Sequence, residues 1–208
     1  ISRRSALQIG LGLAGAAALG GAAWAEGEKL AKYKQASAMG PFRKMTIEEA
    51  CVEAKKIGLV GFDLCGPENW PTLKKHGLIC TMAKTHSLKE GLCDPANHES
   101  CLEAVRATID AVAAEGWPNV ITFSGNRNGM DDELGLENSV AALKKIAPYA
   151  EQKKVTICLE FLNSQSHKDY MGDSTRWCSE LVRRVGSERV KVLYDIFHAG
   201  MMGENIIE

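Results

Sequence analysis

The sequence predicts an α/β fold: most of one (β/α)-barrel domain behind an N-terminal export signal. Three observations predict it. From Lys32 onward, short apolar runs alternate with longer stretches of helical period. Repeated strand–helix units of this size imply a parallel sheet with right-handed crossovers. No glycine-rich phosphate fingerprint follows any of the runs, which weakens a doubly wound open sheet relative to a barrel. A complete barrel takes about 250 residues. Six units of eight within residues 26–208 therefore fit a barrel that is incomplete at its C-terminus.

In chain order, the first segment stands apart. Ser2-Arg3-Arg4 precedes a run of mostly Gly, Ala and Leu from Ala6 to Ala23, which ends in Ala23-Trp24-Ala25 and turns polar at Glu26. A paired arginine, a weakly hydrophobic stretch and a small-x-small end are the features of a twin-arginine export signal. Residues 1–25 are accordingly set aside as that signal, with residues 26–208 as the barrel domain, and the mature protein is expected outside the cytoplasm. An uncleaved anchor is the competing reading, because the run is nearly long enough to span a bilayer. Its Gly/Ala content makes it a poor one, so no stable membrane insertion is expected after cleavage. Both chain ends look truncated: there is no initiating Met, and Ile207-Glu208 falls inside an apolar pattern.

The strands come next. Leu59–Leu64, Leu78–Met82, Val120–Phe123, Val155–Leu159 and Val190–Tyr194 are short runs of the length of a buried strand, and most are rich in β-branched residues. A weaker candidate surrounds Gln35–Met39. Between them, Ile47, Ala50, Cys51, Ala54 and Ile57 recur at helical spacing. So do Leu102, Val105, Ile109 and Val112, and again Leu136, Val140, Leu143, Ile146 and Ala147. Thr46 with Glu49 three residues on forms a capping box, and Asp131 and Ser174 read as further N-caps. Gly58, Gly77 and Gly116 stand where helices should stop.

Composition narrows the function. The formal net charge is −1, with no block of like charges. A nucleic-acid binder needs a basic face to neutralise phosphates, so that class is not expected. Seven cysteines form no C-x-x-C pair and read as small core residues, with neither a disulfide framework nor a zinc signature. A small-molecule substrate remains, with a homo-oligomer as an open possibility.

A barrel builds its active site at the C-terminal ends of its strands. Strand five runs into Glu160-Phe161-Leu162-Asn163 and strand six into Asp195-Ile196-Phe197-His198. A carboxylate that directly continues a buried apolar strand is costly unless it is paired, hydrogen-bonded or metal-bound. Glu160 and Asp195 on adjacent strand ends would repel, and a divalent cation between them removes that penalty. Separate ion pairs with lysines of neighbouring loops are the alternative, and the residues alone leave both open. His198 taken by itself is as readily structural as substrate-facing. His76, His86 and His98 read as surface or loop residues.

Several stretches together resemble the hydroxypyruvate isomerase family of the xylose-isomerase-like TIM barrels. They are Pro118-Asn119-Val120-Ile121-Thr122-Phe123-Ser124-Gly125, Cys158-Leu159-Glu160-Phe161-Leu162-Asn163, His167-Lys168-Asp169-Tyr170 and Leu193-Tyr194-Asp195-Ile196-Phe197-His198. Glu68-Asn69-Trp70-Pro71 and Asp94-Pro95-Ala96-Asn97-His98 extend the likeness. The resemblance implies an aldose–ketose type isomerase with a divalent metal, Mg²⁺ or Mn²⁺, held by a Glu, an Asp, a His and a second Glu. Glu160 matches the first ligand and an acid/base residue, Asp195 the second ligand, and His198 the histidine that contacts a substrate oxygen beside the metal. Asn163 takes a supporting polar role in substrate binding. Lys168 and Tyr170 belong either to a loop over the site or to a solvated one. The later His and second Glu would fall beyond Glu208, so the chain as given is expected to be inactive. A sugar or inositol epimerase or dehydratase, and a non-catalytic carbohydrate-binding barrel, are the competing functions.

Overall fold

The computed structural model describes residues 33–205. The expected export signal lies outside the described residues. None of the described helices is long and apolar enough to cross a membrane.

Six strands alternate with helices. The strands are β1 (Ala36–Ala38), β2 (Gly61–Asp63), β3 (Ile79–Met82), β4 (Asn119–Thr122), β5 (Thr156–Glu160) and β6 (Val190–Leu193). The helices are α1 (Ile47–Lys56), α2 (Trp70–Lys75), α3 (His98–Ala114), α4 (Asp132–Lys153), α5 (Thr175–Val185) and α6 (Ile196–Met201). All strand pairs are parallel, and the spatial order follows the chain, β1-β2-β3 and β4-β5-β6. The two sheets are joined where Ala83 donates to the Asn119 carbonyl at 3.1 Å and Ile121 donates to the Ala83 carbonyl at 2.9 Å. A doubly wound sheet reverses its strand order partway. This one does not, so the barrel alternative holds.

The caps read from sequence close as expected. Thr46 and Glu49 exchange both bonds of the capping box. Asp131 accepts from the amides of Glu133 and Leu134, and Ser174 accepts from Trp177. Residue 58 ends the first helix with φ +80, a left-handed conformation in which glycine escapes the Cβ clash. Two helices show no period in the sequence, although Gly77 marks the stop of the first of them. Helix α2 is six residues long, too short to show a period. Helix α6 begins where Asp195 caps Phe197 and His198, so Asp195 is an N-cap two residues beyond β6 rather than a direct continuation of the strand.

The sheet has two faces because side chains alternate along a strand. Val120, Ile157 and Leu159 join the large cluster that packs against the helices. Ile121 and Phe123 form a second, smaller cluster with Leu162 and Tyr170, against which Met82 and Leu193 pack. That second face is the barrel interior. Glu160 pairs in register with Leu193 and so lies on it. All seven cysteines are free and buried, which agrees with their reading as core residues.

Candidate metal centre

Glu160 is the last residue of β5, set by Cys158 and the apolar run before it into the inner face. Asp195 follows β6 on the neighbouring strand, and its Oδ1 accepts from the Phe197 amide at 2.7 Å and the His198 amide at 3.3 Å. These caps fix Asp195 at the start of α6, and the first turn of α6 carries His198. Ligand atoms from Glu160, Asp195 and His198 all lie within 4.8 Å of one another. The two carboxylates expected to converge therefore do so, with the histidine beside them.

The alternative of separate ion pairs is not observed. Among the described residues, neither Glu160 nor Asp195 forms a salt bridge with Lys or Arg. Among the described residues, the one pairing of opposite character at this centre is His198 Nε2 at 3.8 Å from Asp195 Oδ2. Burial, helped by the facing Asp195, pushes the Glu160 carboxyl up to about 7. A part-buried acid with a carboxylate for its neighbour and no base is the electrostatic setting that a cation relieves.

Asn163 is fully buried and organises the histidine. Its backbone N–H donates to His198 Nδ1 at 3.1 Å, and its amide nitrogen lies 2.5 Å from the same atom. Its Oδ1 accepts from the Ser166 amide at 2.7 Å. With Nδ1 an acceptor, the neutral ring carries its hydrogen on Nε2, a tautomer assigned from the hydrogen-bond network. Burial lowers the His198 pKa and favours that neutral ring. Nε2–H is then a donor facing the carboxylates, which suits a substrate oxygen better than a cation.

Tyr170 belongs to neither a lid nor a solvated loop. It is fully buried, its hydroxyl donating to the Glu160 carbonyl at 2.9 Å and accepting from the Ser124 amide at 3.0 Å. It ties the end of β4 to the end of β5 beneath the centre, a role that a tyrosine in a polar stretch did not announce. Arg127 braces the same loops. It forms an ion pair with Asp173 at 2.7 Å and with Asp132 at 2.7 Å, and donates to the Tyr170 carbonyl. Lys168 is exposed. His76, His86 and His98, expected as surface or loop residues, are part-buried, with His86 in the loop after β3. His76 Nε2 is 2.8 Å from Glu48, His86 Nε2 is 2.8 Å from Thr122 Oγ1, and His98 Nε2 is 2.9 Å from the Leu92 carbonyl. Each fills a structural bond that sequence spacing could not reveal.

The donors, two carboxylates with an imidazole nearby, are the hard oxygen-rich set that suits Mg²⁺ or Mn²⁺. These residues therefore fit the expected cation.

The comparisons bear on the fold. The protein resembles a family 2 AP endonuclease from Brucella melitensis with a TM-score of 0.73 at 18% identity, covering 82% of this chain and 71% of that one. It resembles the IOLI protein, solved with a zinc atom, with a TM-score of 0.65 at 18% identity, covering 84% and 67%. A D-psicose 3-epimerase in the presence of D-fructose gives 0.62 at 17% identity, covering 77% and 62%. At such identities the likeness is one of fold. No curated protein matches the chain. The family model for the xylose isomerase-like TIM barrel matches residues 71–208, more than half of the chain. Sequential parallel strands, an inward carboxylate pair at their ends and this match agree: the chain belongs to the xylose isomerase-like TIM barrel family.

Proposed function

We propose that the protein is a metal-dependent isomerase, hydroxypyruvate isomerase-like, acting on a small hydroxy-carbonyl compound by proton transfer through an enediol. The observation that carries this reading is the convergence of Glu160 and Asp195, without a basic partner, beside an imidazole that offers Nε2–H.

The α-proton of such a substrate is weakly acidic, so catalysis needs a base near neutrality and a polarised carbonyl. Glu160, at the strand end beside Asp195 and without a basic partner among the described residues, is that base. It takes the proton from the hydroxyl-bearing carbon while the C–H electron pair becomes the C=C bond of the enediol. The carbonyl π pair moves to its oxygen, which takes up a proton. A carboxylic acid then returns a proton to the neighbouring carbon as the C=C pair closes on it, and the original hydroxyl gives up its proton to become the new carbonyl. His198 Nε2–H donates to a substrate oxygen and holds it toward the pair, and Asn163 keeps the ring in that tautomer. The apolar floor of Ile121, Phe123 and Leu193 excludes water below the site. A bound Mg²⁺ or Mn²⁺, held by Glu160 and Asp195, supplies Lewis-acid polarisation of the carbonyl.

A sugar epimerase is the second reading, favoured by epimerases among the similar folds. It shares the centre and differs in substrate. Export through the twin-arginine route, from residues 1–25, is proposed alongside and would place the enzyme outside the cytoplasm. The test is turnover in D₂O by the metal-loaded full-length protein offered hydroxypyruvate, D-fructose and D-tagatose. Metal-dependent formation of tartronate semialdehyde, lost in Glu160→Gln, is expected. Deuterium entering a ketose instead would select the epimerase, and no metal-dependent exchange in any of them would remove both readings.

A further inference from the structure

Five histidines occur in the chain, all among the described residues. Four have a ring nitrogen engaged: His76 with Glu48, His86 with Thr122, His98 with the Leu92 carbonyl and His198 with Asn163. His167 differs. Neither of its ring nitrogens has a hydrogen-bond partner among the described residues, although the ring is part-buried. It packs edge-on against His198, with ring centroids 5.6 Å apart.

The backbone places it there firmly. The His167 amide donates to the Asn163 carbonyl at 3.1 Å, and its own carbonyl accepts from the Tyr170 amide at 3.0 Å. The end of β5 and the turn that follows thus carry three functions in order: Glu160 at the carboxylate pair, Asn163 behind His198, and His167 alongside His198. No buried side-chain nitrogen or oxygen among the described residues lacks a partner, so the unpaired ring nitrogens of this part-buried imidazole stay open to solvent and are free to meet a ligand beside His198. His167 lies outside the converging set of Glu160, Asp195 and His198, so it is not placed to share their cation.

We propose that His167 is a second substrate-contacting imidazole that sets specificity, an inference resting on the isomerase or epimerase reading above. His198 Nε2–H holds one oxygen next to the carboxylates, and His167 takes an oxygen on the carbon beyond it. The site then selects compounds with three contiguous oxygenated carbons, the carbonyl and hydroxyl oxygens at the centre and a third at His167. Three-carbon hydroxy-keto acids and ketoses qualify, and two-carbon hydroxy-carbonyl compounds do not.

The test compares two unreactive ligands, glycolate with two oxygenated carbons and glycerate with three, titrated calorimetrically into Mg²⁺-loaded protein. Loss of one hydrogen bond of ordinary strength corresponds to roughly tenfold in affinity. Wild-type protein should bind glycerate about tenfold more tightly than glycolate. His167→Ala should erase that preference while leaving glycolate and Mg²⁺ affinities unchanged, and His167→Asn, which keeps a donor, should restore part of it. In ¹⁵N-edited spectra the His167 ring signals should move with glycerate and not with glycolate. A variant that weakens both ligands equally, weakens Mg²⁺, or alters nothing would overturn the assignment. If wild-type protein takes up Mg²⁺ but neither ligand, the isomerase or epimerase reading itself fails and this inference with it.

Discussion

Glu160→Gln should stabilise the metal-free protein at high pH and do nothing for it at low pH. Burial and the Asp195 charge raise the Glu160 carboxyl from 4.5 to about 7. An acid whose pKa is higher in the folded state opposes folding when ionised. The cost is absent below 4.5, grows between 4.5 and 7, and is constant above. At 1.36 kcal/mol per pKa unit the full difference is about 3 kcal/mol, an order-of-magnitude figure. Glutamine has nearly the same shape and no charge, so it escapes that cost. The assay is urea unfolding of both proteins with chelator present, at pH 5 and pH 8. The variant should exceed wild type by less than about 1 kcal/mol at pH 5 and by up to about 3 kcal/mol at pH 8. Excess Mn²⁺ should reverse the order by stabilising wild type alone. Comparing the two proteins at each pH cancels the titrating groups that do not interact with Glu160. A stability gap that is the same at both pH values would show that Glu160 is not held in this environment, and the case for a cation between the carboxylates would lose its energetic basis.

Three further outcomes follow from the same geometry. Tyr170→Phe leaves the buried Ser124 amide and Glu160 carbonyl without their partner and should cost roughly 2–4 kcal/mol in chemical denaturation; a loss under about 0.5 kcal/mol would mean that water replaces the hydroxyl. Cation binding at pH 7 should release about half a proton from Glu160 and almost none at pH 9, read from calorimetry in buffers of different ionisation enthalpy; release that does not vary with pH would contradict this. Gly125→Ala should destabilise strongly, because residue 125 has φ +89 and an added Cβ would meet the Gly91 amide nitrogen at 2.6 Å; an unchanged melting temperature would show that the loops after β3 and β4 separate without cost.

Much of this was legible in the chain because the signals are local. Strands β2 to β6 lie within or overlap runs of apolar residues bounded by turn formers, and Thr46, Asp131 and Ser174 cap helices through bonds reaching no more than three residues. The carboxylates were found by a physical oddity, acid at the end of a buried strand. Other elements carried no such mark. Asp195 was read as strand end because Tyr194-Asp195-Ile196 extends an apolar run, whereas its side chain turns back to cap α6. The β1 strand is three residues long and depends on pairing with β2 for its existence.

What the sequence alone determined is the repeating strand–helix order, the helix starts at Thr46, Asp131 and Ser174 and the identity of Glu160 and Asp195 as residues needing a partner, since each follows from composition over a few neighbouring positions. The tertiary structure decided the rest. It brought residues 160 and 195 within reach of one cation, chose the protonated nitrogen of His198 through Asn163, buried Tyr170 beneath Glu160, and left His167 unmatched beside His198. Those relations join residues about 10 to 35 positions apart, and no local propensity encodes contacts that exist only after the strands have aligned in register.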